Sequence, residues 1–88
     1  MSVIEMKPEN KFIRDTGKRI RKLREEKGWS QEQLALEAGV DNSHLGKLER
    51  GEGNPTIRLV YRIAEALGVE VRDVLAEYSP RTKHAGNR

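Results

Sequence analysis

Few side chains in this sequence belong to the types that make or break covalent bonds, and their spacing leaves little such chemistry open. There is no cysteine among the 88 residues, and the two histidines, His44 and His84, lie forty positions apart. Disulfide frameworks, cysteine-ligated zinc and thiol catalysis are excluded together. No pair of carboxylates is spaced for a shared cleft, and neither a phosphate-loop nor a dinucleotide glycine motif occurs. A lone histidine such as His44 is assigned neither metal nor catalysis. The sequence therefore reads as a non-enzyme with no cofactor and no metal. What remains is noncovalent chemistry, and here the charge is unevenly placed. From Phe12 to Trp29 seven Lys or Arg stand against three acids, from Ser30 to Pro55 two against five, and Tyr78 to Arg88 carries three basic residues and no acid. A basic segment and a basic tail around an acidic middle suit a polyanion, although charge alone does not establish one.

The elements that must position these groups are helical. A chain of 10.0 kDa has room for one domain. Four aromatics, Phe12, Trp29, Tyr61 and Tyr78, are available to a small core. Phe12 to Lys27 places Ile13, Gly17, Ile20 and Leu23 on one stripe, and Gly28 ends it. Ser30-Gln31-Glu32-Gln33 reads as a capping box, in which the serine oxygen accepts from the amide of residue 33 and Gln33 reaches back. The short helix behind it buries Leu34, Ala35 and Ala38 and stops at Gly39. Asp41 caps a third helix with Leu45 and Leu48 inward, closed by Gly51. Gly51-Glu52-Gly53-Asn54-Pro55 is a turn-rich loop. Thr56 caps a fourth helix whose apolar face holds Ile57, Val60, Ile63, Ala64 and Leu67. A fifth runs from Val71 to about Glu77. The fold class is thus all-α, with five helices. Residues 1–11 read as a flexible arm, 12–77 as the domain, and 78–88 as a disordered basic tail. No apolar run approaches the ~18 residues of a membrane span, and the first eleven residues lack the pattern of a signal peptide. The expectation is a soluble cytoplasmic protein.

The second and third helices are each too short to stand alone in water. Small residues (Ala35, Ala38, Gly39) let them cross closely at a sharp turn, which is the signature of a helix-turn-helix. The residues that carry this signature are Ser30-Gln31-Glu32-Gln33-Leu34-Ala35, Ala38-Gly39-Val40, Leu45, Leu48-Glu49-Arg50-Gly51, Asn54-Pro55-Thr56 and Ala64-Glu65-Ala66-Leu67-Gly68-Val69. Over Phe12 to Leu75 the chain closely resembles the lambda-repressor and Cro-like helix-turn-helix family. That resemblance implies a compact five-helix domain that binds double-stranded DNA as a transcriptional regulator of the repressor or controller type. It further implies a homodimer on a two-fold symmetric operator, with recognition helix 41–50 in the major groove.

Roles follow position by position from the resemblance. Gln31, at the start of the second helix, is the residue that holds a phosphate and buttresses the base-reading side chain. Asn42 and Ser43 face base edges, and an asparagine amide suits adenine N6 and N7. His44 lies near the phosphate or base line. Lys47, one turn beyond Ser43, reaches a guanine or a phosphate, and Arg50 takes a phosphate. Arg24 and Glu49 match a structural ion pair linking the first helix to the end of the third. Two departures stand out. Asp41 puts an acid at the groove entrance, where phosphate repels it unless cap bonds occupy it. Gly46 places a glycine inside the recognition helix, for close approach either to the DNA backbone or to another helix.

A single such domain gathers too few base contacts to find one site among ~10⁶–10⁹ competitors, so a dimer is expected. Its surface is assigned to Leu59, Tyr61, Val71, Val74 and Tyr78, with Leu59 off the apolar stripe of its helix. No small-molecule effector is expected, since so small a domain offers no sizeable pocket. The other reading left open is an antitoxin or adaptor-type helix-turn-helix module whose main partner is another protein.

Overall fold

The computed structural model describes residues 7–76. Among them are five helices and no strand: α1 (Pro8–Glu26), α2 (Gln31–Ala38), α3 (Asn42–Glu49), α4 (Ile57–Leu67) and α5 (Val71–Val74). The all-α expectation holds, and the starts of α1 to α4 have local causes.

α1 begins at Pro8, four residues ahead of the expected start at Phe12. Proline at the first helical position gives up no hydrogen bond and presets φ for a helix, so it extends the element into a segment with no apolar periodicity. Pro8 to Lys11 are therefore helical rather than part of an arm. Ser30 caps α2 by accepting from the Gln33 amide nitrogen at 3.0 Å. The return half of the expected capping box is not made. The Gln33 side chain instead donates to Glu37 at 2.9 Å, an i,i+4 bond to a charged acceptor. Gly39 ends α2 at φ 69°, a left-handed conformation that a side chain would strain. Asp41 caps α3 and Thr56 caps α4.

α3 packs against both α1 and α2, α2 also lies on α4, and α5 closes on α4 and α1. Ile20, Leu34, Leu45, Leu48, Ile63 and Val74 are the fully buried apolar side chains at the centre. On α4 the expected face needs one correction. Val60, Ile63, Ala64 and Leu67 are buried, but Ile57 is 87% exposed and Leu59 takes its place in the core. At about 100° per residue the buried face centres near Leu67, with Ile57 and Leu59 on opposite flanks. The molecule covers only the Leu59 flank.

α5 ends at Val74, three residues short of the expected Glu77, which lies outside the described residues. The chain turns extended at Leu75, and the Ala76 amide donates to the buried Thr16 hydroxyl at 2.9 Å. A side chain on α1 thus captures the amide that a further turn of helix would have needed. Glu77, Tyr78 and the expected basic tail lie outside the described residues, as do residues 1–6.

Candidate nucleic-acid interface

α3 is built so that one side is anchored and the other is free. Leu45 and Leu48 point into the core, while Asn42, Ser43, His44, Lys47 and Arg50 are exposed. Ser43, Lys47 and Arg50 stand at i, i+4 and i+7, which places them on one face. At the amino end, the Asp41 carboxylate accepts from the Ser43 amide at 3.2 Å, and the Ser43 hydroxyl stands 3.4 Å from each Asp41 oxygen. The cap therefore occupies the Asp41 carboxylate, and it draws Ser43 toward itself.

The carboxyl end of α3 is held by an ion pair inside the fold. Arg24 Nε donates to Glu49 Oε2 at 2.8 Å and Arg24 Nη2 to Glu49 Oε1 at 3.0 Å, a two-pronged bond between residues only 9% and 7% exposed. Arg24 Nη1 donates to the Trp29 carbonyl at 2.8 Å. The hydrogen bond with Glu49 raises the Arg24 guanidinium above its ordinary value, against the opposing effect of burial. Gln31 completes the cluster by donating its side-chain amide to Glu49 Oε1 at 2.9 Å. Four points are tied together: the end of α1, the loop before α2, the start of α2 and the end of α3. No buried side-chain polar atom among the described residues lacks a partner.

Gln31 itself is half-buried, and its amide nitrogen turns toward Glu49 because a carboxylate oxygen with a lone pair to spare is a strong acceptor. The sequence signal for Arg24 and Glu49 lay in the resemblance alone. Nothing in the spacing pointed to Gln31 as a third partner, eighteen positions from Glu49.

Two glycines set how closely the helices approach. A Cβ on Gly17 of α1 would run into the Leu48 carbonyl oxygen and stand 3.0 Å from that of Glu49. Gly46 is different. A Cβ there would meet only Arg50 Nη1 and Gln31 Oε1, each at 3.4 Å, the far ends of two flexible side chains. The room at Gly46 is filled by this protein's own side chains. Gly46→Ala is therefore expected to raise stability by about 0.5–1 kcal/mol, the gain of alanine over glycine inside a helix. Thermal melting followed by circular dichroism checks this, and a lower melting temperature would show that Gln31 and Arg50 cannot move aside.

The surface assigned to a partner changes as well. Leu59 and Val74 are core residues, at 6% and 0% exposure, and cannot face another chain. Tyr61 and Val71 are exposed, Ile57 joins them, and Tyr78 lies outside the described residues. Phe12, Ile13, Pro55, Ile57, Val71 and Leu75 line a shallow apolar groove between the start of α1, the α3–α4 loop and α5.

Comparison with known proteins gives concordant results. The HTH_3 family, described as Helix-turn-helix, matches residues 20–74. The HTH-type transcriptional regulator SinR of Bacillus subtilis is 40% identical over 62 residues, covering 69% of this chain and 56% of SinR. The chain thus spans little more than half of that relative. Among solved structures, the restriction-modification controller protein C.AhdI from Aeromonas hydrophila matches with a TM-score of 0.69 at 40% identity, over 70% of this chain and 94% of that one. The crystal structure of SinR, the master regulator for biofilm formation, in complex with DNA matches with a TM-score of 0.64 at 38% identity, over 67% of this chain and 95% of that one.

Proposed function

The chain belongs to the HTH_3 helix-turn-helix family of transcriptional regulators, of the Cro-like type, and from that premise we propose that it binds a two-fold symmetric operator in double-stranded DNA as a homodimer. The observation that carries this reading is the split surface of α3. Its apolar side is buried and its end tethered through Glu49, while Asn42, Ser43, His44, Lys47 and Arg50 stand exposed. A helix fixed in this way presents its side chains to a major groove without having to be ordered first. Asn42 pairs with an adenine through N6 and N7, Lys47 takes a guanine or a phosphate, and Arg50 takes a phosphate. Ser43 and His44 make the remaining short contacts. Gln31 acts through Glu49, fixing the height of α3 over the start of α2. The relative crystallised with DNA supports duplex DNA as the ligand.

The second copy docks on the apolar groove, whose lining includes Ile57 and Val71, with the exposed Tyr61 one turn beyond Ile57 on α4. Two recognition helices then lie ~34–36 Å apart, one turn of duplex. Occupancy follows protein concentration through dimerisation, in the cytoplasm, without a small-molecule effector. The reading includes no catalysis. Among the described residues no group of His, Cys, Asp or Glu is placed to hold a metal, and no helix is long and apolar enough to cross a membrane.

The test is binding to a two-fold symmetric fragment from the DNA upstream of the chain's own gene, against scrambled DNA, over a salt series. The expected result is a preference of ~10³ or more at physiological salt, with two chains per duplex. Asn42→Ala and Lys47→Ala are each expected to lower affinity for that fragment about 10–100-fold. Weak binding that falls steeply with salt and ignores sequence would overturn the proposal and leave a protein partner as the reading.

A further inference from the structure

Arg50 closes α3, and its side chain is not free in solution. Its Nε stands 3.3 Å from one Glu52 carboxylate oxygen and its Nη2 3.4 Å from the other. This is the fork that a guanidinium also presents to a phosphate. The distances exceed the ~2.7–2.9 Å of a tight charge-assisted pair, and both side chains are more than half exposed, so the contact is loose. The backbone beneath Glu52 is firmly placed. The Glu52 amide donates to the Lys47 carbonyl at 2.9 Å and the Gly51 amide to that of Leu48 at 3.0 Å. A Cβ built on Gly51 would stand 2.9 Å from Arg14 Cα, which shows how closely this turn lies on α1. The turn that carries the carboxylate is therefore fixed within reach of Arg50.

We propose that Glu52 holds down the affinity of this chain for DNA in general by competing with phosphate for Arg50. The inference rests on the reading of Arg50 as a phosphate-binding residue. A loose, solvated pair adds little to stability, so a phosphate that is well positioned displaces the carboxylate. In a loosely held, sequence-indifferent complex no phosphate is fixed opposite Arg50, and the guanidinium stays with Glu52. One basic charge is thereby withheld until α3 is seated. Glu52 is a positioning residue, acting on DNA through Arg50.

The experiment uses the full chain and a 20-base-pair duplex of random sequence as probe, with fluorescence anisotropy over a salt series. Four proteins are compared: the unmodified chain, Glu52→Gln, Arg50→Ala and the double variant. Glu52→Gln is expected to bind the random duplex about fivefold tighter near 0.1 M salt, with a salt slope steeper by about one. In the Arg50→Ala background the same change is expected to give no gain. Unchanged affinity of Glu52→Gln, or an equal gain without Arg50, overturns the inference; the latter result would mean simple repulsion by the acid. If Arg50→Ala binds the two-fold symmetric upstream fragment as well as the unmodified chain does, the phosphate assignment of Arg50 fails first and the inference fails with it. Because the pair is exposed, melting temperatures of all four proteins are expected to agree closely, which separates binding effects from unfolding.

Discussion

Arg24→Ala is expected to destabilise the domain by about 3–5 kcal/mol, the cost of removing one partner from a buried ion pair. Glu49 would keep the Gln31 amide but lose both prongs of the guanidinium, leaving a carboxylate only 7% exposed without its counter-charge. The Trp29 carbonyl would lose its donor in the same step. Glu49→Ala should cost a comparable amount, because it strands the guanidinium and the Gln31 amide. Domains are stable by only about 5–15 kcal/mol, so either change should leave a sizeable unfolded fraction on mild heating. Urea unfolding monitored by circular dichroism measures both, and near-unchanged midpoints for the two single variants would sink the structural role. The effect should persist across the working range of pH. A guanidinium raised above its unfolded value contributes stability that is fully present below that value and is lost only in strong alkali. Asp15 behaves oppositely. The Lys11 hydrogen bond holds its carboxyl below the usual value, so its contribution is present above that value and fades as acid is added.

Gly17→Ala is expected to be the most damaging change of a single methyl group, about 2–3 kcal/mol or a fall of roughly 10–20 °C in melting temperature. Alanine is the better helix former by about 0.5–1 kcal/mol, so propensity alone predicts the reverse sign. Sterics decide against it. The new Cβ would run into the backbone carbonyl of Leu48, and a backbone carbonyl at the end of α3 cannot swing aside as a side chain does. Relief requires α3 to move off α1, which stretches the Arg24–Glu49 bonds at the same crossing. A calorimetric melt of Gly17→Ala beside Gly46→Ala makes a matched pair, with a fall expected for the first and a rise for the second. Equal shifts in one direction would show that helix propensity, not close packing, governs both sites.

These two glycines also show what the sequence makes legible. Helix ends announced by Ser30, Gly39, Asp41 and Thr56 fall where expected, because a cap is a contact within a few residues along the chain. Periodicity identified the buried stripe of α4 but not its width. Whether Leu59 or Ile57 lies under cover depends on which flank another helix occupies, and that is a tertiary fact. The end of α5 was beyond reach for the same reason, since the residue that captures the Ala76 amide is sixty positions away on α1. In the candidate interface, the alternation of Leu45 and Leu48 with Asn42, Ser43 and Lys47 already separated inward from outward positions. The inward turn of Gln31 and the pairing of Arg50 with Glu52 were not legible, because side chains that find charged partners leave no period in the sequence.

The division of α3 into a tethered side and an exposed side has an evolutionary corollary. Residues that hold the helix in place (Leu45, Leu48, Glu49) and residues that stand open to solvent (Asn42, Ser43, His44, Lys47) are different residues. Substitution among the second group therefore leaves the first untouched, and surface changes of this kind shift stability by little. Under the proposed function, the fold works as a chassis on which the outward text of one short helix is rewritten. Descendants of this chain could diverge in what they recognise while melting at nearly the same temperature.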